Sequence, residues 1–279
     1  MTDDMKPRKL NILVLFAGAG LATRGLLDAG HSCTDVEIDP AKSHLSRLLN
    51  PEAKHIVSDV RDLDSKYIAS FDAVWASPPC QKRSDTNHND LADAKYQHHD
   101  DLLNWALELP NSILWVENVI SRTSRHSNKW GRRWNAAQFE HNPRMMRRRL
   151  IGGCHRAPFS WRPYQDTYSY PHICPTPLAS ELGHGGMRKD RDKERRKFTR
   201  FYVEQVGRVP AIPDMAFRMG VNVPYKWYRP LGGFTERQWI MQLSEAIGNG
   251  VPVYMARAFG EAYSKPVRVI PMRQLELAI

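Results

Sequence analysis

The 279-residue sequence has only four cysteines, Cys33, Cys80, Cys154 and Cys174, far apart and without a C-x-x-C pair. A chain of this length folds without cross-links, so a disulfide-stapled secreted domain is excluded and the four are read as thiols. No apolar run approaches the roughly 18 uncharged residues that a membrane-spanning helix needs. The stretch from Met1 to Lys9 is charged and no signal-type cleavage pattern follows it, so a cytoplasmic, monomeric protein with no membrane partner is expected. Internal repeats of useful length are absent. With 42% hydrophobic and 25% charged residues, the composition also excludes disorder, collagen-like repeats and coiled coil. The length suits two domains, or one carrying a large insertion.

What the sequence does have is an uneven charge. Arg122 to Arg200 holds 19 basic and 6 acidic residues, a local +13 in a chain of net +10, so everything else carries −3. Basic residues gathered in one region attract a polyanion, whose displaced counterions supply the entropy of binding. The run Met187 to Arg200 taken alone suits a solvated surface equally well; the wider asymmetry points to nucleic acid.

Over the first 120 residues, short apolar runs alternate with helix-like stretches. Asn11 to Phe16, Cys33 to Ile38, Phe71 to Ala76 and Ile113 to Val116 read as buried strands. Leu21 to Ala29, Pro40 to Leu49 and Leu91 to Leu109 carry the Leu and Ala spacing of helices between them. This order predicts an α/β fold, doubly wound around a mostly parallel sheet. Its ligands are expected outside the C-terminal ends of the strands. After Arg149 the character changes: Ala157 to Pro177 holds five prolines and several aromatics, which suits a small, loop-rich lobe. Near the end, Gly248-Asn249-Gly250 precedes an amphipathic helical pattern over Val251 to Tyr263. The expected domains are therefore residues 1–156 with 242–279, and a small domain over 157–241.

Several strand-end loops could carry chemistry. Phe16-Ala17-Gly18-Ala19-Gly20 leaves the first strand, and its small residues let a ligand approach the backbone at a helix N-terminus; a plain tight turn is the alternative. Glu37-Ile38-Asp39 ends the second strand at the distance from the glycines that suits a ribose-binding carboxylate, so an adenosine-containing cofactor is expected. Asp59 could meet an adenine amino group or simply cap a helix. Ser77-Pro78-Pro79-Cys80-Gln81 places a cysteine on a turn stiffened by two prolines. Trp115-Val116-Glu117-Asn118-Val119 puts a carboxyl at another strand end, where apolar surroundings would raise its pKa toward a general-acid value. Arg144-Met145-Met146-Arg147-Arg148-Arg149 supplies guanidinium groups before a strand at Leu150-Ile151. Cys154-His155 and His172-x-Cys174 offer zinc ligands in number, but adjacent Cys-His and the missing two-to-four-residue gap are poor for chelation, and no metal is expected.

In their order these motifs make the chain resemble the cytosine-C5 DNA methyltransferase family. The resemblance rests on LFAGAG at Leu15 to Gly20, EID at Glu37 to Asp39, PPCQ at Pro78 to Gln81, ENV at Glu117 to Val119, the Arg-rich run, and GNGVP at Gly248 to Pro252. Ala216 to Val221 looks like the family's segment shortly before its final motif. There are departures: Val14 stands where the family has an acidic residue, Leu21 where a second glycine is common, and the glutamine of its Q-x-R-x-R pattern is missing. Gly250 replaces a usual Ser or Ala.

The resemblance implies a Rossmann-like catalytic domain with a target-recognition lobe, and S-adenosylmethionine bound by Phe16, Ala17, Gly18, Gly20, Glu37, Ile38, Asp59, Pro79 and Asn249. It implies Cys80 as nucleophile and Glu117 as acid. Arg147 and Arg149 would serve the base if the alignment follows the RRRL run, Arg148 if it follows Pro143. Double-stranded DNA is the implied partner, contacted by Gln81, Ser84, Arg148 and Arg188, with Lys82 to Asp101 closing over an extruded base. An RNA or a modified base as substrate, and an inactive DNA-binding relative, remain the other readings; possession of both Cys80 and Glu117 speaks against the last.

Overall fold

The computed structural model describes residues 8–80, 98–120, 129–139, 145–158, 205–206 and 210–265. A seven-stranded sheet forms the centre, in the order β3-β2-β1-β4-β5-β7-β6. Its strands are β1 (Asn11–Leu15), β2 (Ser32–Glu37), β3 (Lys54–Val57), β4 (Ala73–Ala76), β5 (Leu114–Asn118), β6 (Gly131–Asn135) and β7 (Arg148–Gly152). The first five are mutually parallel, whereas β7 runs antiparallel to both of its neighbours. The helices are α1 (Leu21–Asp28), α2 (Pro40–Leu49), α3 (Ser65–Ala69), α4 (His98–Leu107), α5 (Ile212–Arg218), α6 (Glu236–Asn249) and α7 (Val253–Ser264).

Strand β1 shows why the sheet is sandwiched. Ile12 and Val14 face one buried cluster and Leu13 and Leu15 the other, because alternate side chains leave a strand on opposite sides. The first cluster contains Trp75, Trp115, Trp134 and Phe259; the second contains Val36, Val74, Leu103 and Val116. Helix α2 starts where the sequence places it: Pro40 occupies the first turn, and Asp39 accepts from the amides of Ala41 (2.8 Å) and Lys42 (3.3 Å). Helix α6 begins with a capping box between Thr235 and Gln238.

The doubly wound, mostly parallel Rossmann-like sheet expected from the sequence is the fold observed. Two differences have physical causes. The stretch from Pro210 on, expected in the small lobe, contributes Ile212, Met215, Trp227 and Trp239 to the core of the sheet domain. Trp227 is fully buried, and its ring nitrogen donates to Leu45 O (3.0 Å) of α2. The second difference is from the closing loop that the resemblance implies up to Asp101: α4 begins at His98, within the helical stretch read over Leu91 to Leu109. Gln81, Ser84 and Arg188, with Arg144, His172 and Cys174, lie outside the described residues.

Candidate active site

The chain goes from β1 to β2 and β3 on one side and returns to β4 and β5 on the other, so a crevice opens above the C-terminal ends of β1 and β4. A cavity of about 360 Å³ occupies it, a size that suits a small-molecule site. Four strand ends line it: Phe16 to Ala19, Glu37 to Asp39, Ser77 to Cys80, and Glu117 to Val119. Arg149, Lys42, Glu245, Asn249 and Gly250 complete the wall.

At one end the glycine loop wraps a carboxylate. Phe16 adopts a left-handed backbone (φ 57°), an uncommon state for a bulky residue, and sets its ring edge-on to Trp105 at 6.3 Å. Gly18 donates its amide to Glu37 Oε2 (2.7 Å), and Asp39 donates to Oε1 (3.0 Å). Each carboxylate oxygen keeps a lone pair for a further donor. Gly18 has open space where a side chain would begin, so its backbone is bare toward the cavity. Beside Glu37, Ile38 is 62% exposed, an apolar plane left uncovered at the cavity wall. A diol acceptor, a bare glycine backbone and an apolar platform fit the adenosine part of S-adenosylmethionine. Asp59 is not among the lining residues: it caps the short 3-10 turn 60–62 and accepts from Arg61 Nη2 (2.6 Å), and the Arg61 guanidinium and amide hold its carboxyl at about 2. The capping alternative is the one the structure adopts.

At the other end Cys80, Glu117 and Arg149 converge. Asn118, which the sequence reading did not single out, braces the Pro-Pro turn by donating from Nδ2 to Pro78 O (3.0 Å) while its Oδ1 accepts from Val119 N (2.8 Å). Its signal was its place in the ENV triplet, at the end of a buried strand. Glu117 is paired with Arg149, Oε1 to Nε, at 2.5 Å, with both side chains buried. The surroundings of Glu117, expected to be apolar, thus include a buried cation. At Cys80, burial outweighs the pull of Arg149 and Arg147, and the thiol is pushed up.

Of the two arginines selected by the RRRL alignment, only Arg149 lines the cavity. Arg147 is buried behind it and donates from Nη2 to the carbonyls of Gly248 (2.7 Å) and Gly250 (2.8 Å). Burial, then repulsion from Arg149, lowers its pKa well below the ordinary guanidinium value. Arg147 therefore ties the strand run to the GNG turn that carries Asn249, and it is not among the residues lining the cavity, where a role toward the base was expected for it. Arg148 begins β7 half-buried and is not among the residues lining the cavity. Lys42 and Glu245 were not foreseen: they join α2 to α6 across the rim at 3.0 Å. Burial opposes the Lys42 charge, but Glu245 prevails and its pKa is raised.

This fold is Rossmann-like, and its cavity lies where such sheets bind ligands. Residues 10–138, a little under half of the chain, match the family model described as C-5 cytosine-specific DNA methylase. Residues 10–138 thus carry a domain similar to the C-5 cytosine-specific DNA methylases. Arg149 and Asn249 fall outside the matched segment and reach the same cavity through the fold. No curated protein matches the sequence. Among solved structures, the chain is similar to a candidate DNA modification methyltransferase encoded within an Escherichia coli prophage, at 17% identity and a TM-score of 0.53, over 91% of this chain and 98% of that one. A mutant of Spodoptera frugiperda DNMT2 aligns at 13% identity and a TM-score of 0.53, over 91% and 99%. The Entamoeba histolytica methyltransferase EhMeth aligns at 13% and 0.53, over 92% and 98%. These likenesses bear on the fold.

Proposed function

We propose that the protein is a DNA (cytosine-5-)-methyltransferase that acts on an extruded cytosine in double-stranded DNA. The observation that supports this reading is that one cavity is lined both by the glycine loop with Glu37 and by Cys80, Glu117 and Arg149. C5 of cytosine is a poor nucleophile while the ring is aromatic. Cys80 Sγ adds to C6, giving up its proton, and the ring gains enamine character at C5. Glu117, in its protonated form, donates to N3 and Arg149 donates to O2, and these protons offset the negative charge that develops there on addition. Pairing with Arg149 fixes the Glu117 carboxyl before the base arrives. S-adenosylmethionine, when bound, supplies an electrophilic methyl group on a sulfonium. Loss of the C5 proton afterwards restores the aromatic ring and expels the Cys80 thiolate.

A base inside a stacked duplex cannot reach Cys80, so it leaves the stack at a cost of a few kcal/mol. Gln81 and Ser84, on the segment following Cys80, together with Arg148 and Arg188, are the proposed nucleic-acid contacts. Residues between 159 and 209 would carry target recognition. No helix among the described residues is long and apolar enough to cross a membrane. The protein would act as a cytoplasmic monomer.

The reading is tested with methyl-labelled cofactor offered to duplex DNA and, in parallel, to transfer RNA. Label in DNA cytosine, abolished by Cys80→Ala, is the expected result, together with a covalent adduct on 5-fluorocytosine duplex DNA. Label confined to RNA would replace the substrate; no transfer and no adduct would sink the reading.

A further inference from the structure

Beneath the glycine loop runs a chain of buried polar groups that methyl transfer does not use. Asp35, on β2 two residues before Glu37, is only 2% exposed. Its Oδ1 accepts from Thr23 Oγ1 of α1 (2.6 Å) and its Oδ2 from Ser46 Oγ of α2 (2.5 Å). Ser46 Oγ in turn accepts from Asn50 Nδ2 (3.3 Å), and the same amide donates to the carbonyl of Gly20 (2.9 Å). His55, on β3, bonds through Nε2 to Asn50 O (3.0 Å) and brings Nδ1 to 3.5 Å from Asp35 Oδ2.

A carboxylate in the middle of a buried strand is an expensive choice, because its desolvation is offset only by donors aimed at it. Here it sets the direction of every bond that follows. An ionised carboxylate accepts and does not donate, so the hydroxyl protons of Thr23 and Ser46 both point to it. Ser46 is left with lone pairs on its other side and orients the Asn50 amide, whose N–H groups then face Ser46 and Gly20. Gly20 is the residue this arrangement holds: it is left-handed (φ 77°), precedes α1, and a side chain on it would strike Ser46 and Asn50. Its amide bonds back to Ala17 O (2.9 Å), inside the loop that carries Gly18. Burial pushes the Asp35 carboxyl up, while the Ser46 and Thr23 hydroxyls and His55 pull it down and neighbouring Glu37 adds to the rise.

We propose that Asp35 is a positioning residue for cofactor binding: through Ser46 and Asn50 it fixes the Gly20 carbonyl, and with it the loop whose Gly18 amide and partner Glu37 meet the adenosine. This rests on the proposed use of the cavity by S-adenosylmethionine.

The test is calorimetric titration of the full chain with S-adenosylhomocysteine, for wild type, Ser46→Ala, Asn50→Ala, Asp35→Ala and Asp35→Asn. Ser46→Ala and Asn50→Ala should each weaken binding roughly tenfold, about the loss of one buried hydrogen bond, at unchanged stoichiometry. Asp35→Ala should weaken it further, and Asp35→Asn, which keeps the shape and one acceptor, should recover most of the affinity. In turnover the KM for the cofactor rises while kcat and nucleic-acid affinity hold. A purely structural role would lower the folded fraction, and so stoichiometry and kcat, at an unchanged dissociation constant. That pattern, or wild-type affinity in Ser46→Ala and Asn50→Ala, overturns the proposal, and these two variants decide it if Asp35→Ala does not fold. Failure of wild type to bind S-adenosylhomocysteine would instead overturn the assignment of the cavity to the cofactor.

Discussion

At Cys80, burial and charge pull in opposite directions. Desolvation favours the neutral thiol; Arg149 and Arg147 favour the thiolate, and desolvation prevails. The Cys80 sulfur therefore rests as the thiol. Iodoacetamide labelling of Cys80, followed by peptide mass spectrometry, is expected to be slower at pH 7.5 than that of a free cysteine. It should still be rising at pH 9, because the thiolate fraction grows only as pH approaches the raised value. A labelling rate that levels off below pH 8 would contradict this balance. The chemistry-bearing residues themselves were legible in the sequence, since PPCQ and ENV place Cys80 and Glu117 at strand ends. The protonation of Cys80 was not, because it depends on how much water the fold removes around the sulfur. Arg147 and Arg149 are likewise indistinguishable in a run of three arginines; the pairing of Arg149 with Trp134 and of Arg148 with Asn135 on β6 is what sets their faces.

Among the elements, the contact between α1 and α7 closes the fold, and it is made at a glycine. A β-carbon on Gly25 would meet the backbone of Val253 and Arg257. Gly25→Ala is expected to destabilise by about 1–3 kcal/mol despite the better helix propensity of alanine, because overpacking two backbones exceeds the propensity gain. A drop in the urea midpoint without a change in slope would report it. His31 ties the same region together: Nδ1 accepts from Leu10 N (3.2 Å) and Nε2 donates to Gly260 O (2.9 Å), which requires a neutral ring. Burial, and then Lys9, lower its pKa, with the Gly260 carbonyl opposing them. The unfolded chain thus takes up the proton first. Stability is full above the ordinary imidazole value of about 6.5 and falls as pH drops below it, by at most about 1.4 kcal/mol per pH unit for this one group. Denaturation at pH 7.5 and 5.5 should show a smaller loss for His31→Gln than for wild type. Helix α2 was legible to the residue, since Asp39-Pro40 is a local start signal. Helix α6 and strand β6 were not: α6 shows its apolar face only against Met215 and Trp227, and Gly131-Arg132-Arg133 reads as a basic loop until β7 lies beside it.

For the whole molecule, charge and topology divide the labour. The basic excess between Arg122 and Arg200 includes Arg132 and Arg133, exposed on the edge strand. If this region meets phosphates, affinity for duplex DNA should fall roughly tenfold or more between 50 and 200 mM salt, the response to two or more neutralised phosphates. A flat salt dependence of the dissociation constant would remove nucleic acid as its partner.

By itself the sequence determined the α/β class, the order of the strand-end motifs and the candidates for nucleophile, acid and ribose acceptor, because each is written in a short local pattern. Only the tertiary structure decided which arginine reaches the cavity, that Asp59 caps a turn, that the segment after Pro210 joins the sheet domain, and that Asp35 lies under the glycine loop. Those outcomes depend on distance and desolvation among residues far apart in the chain, and no local pattern encodes either.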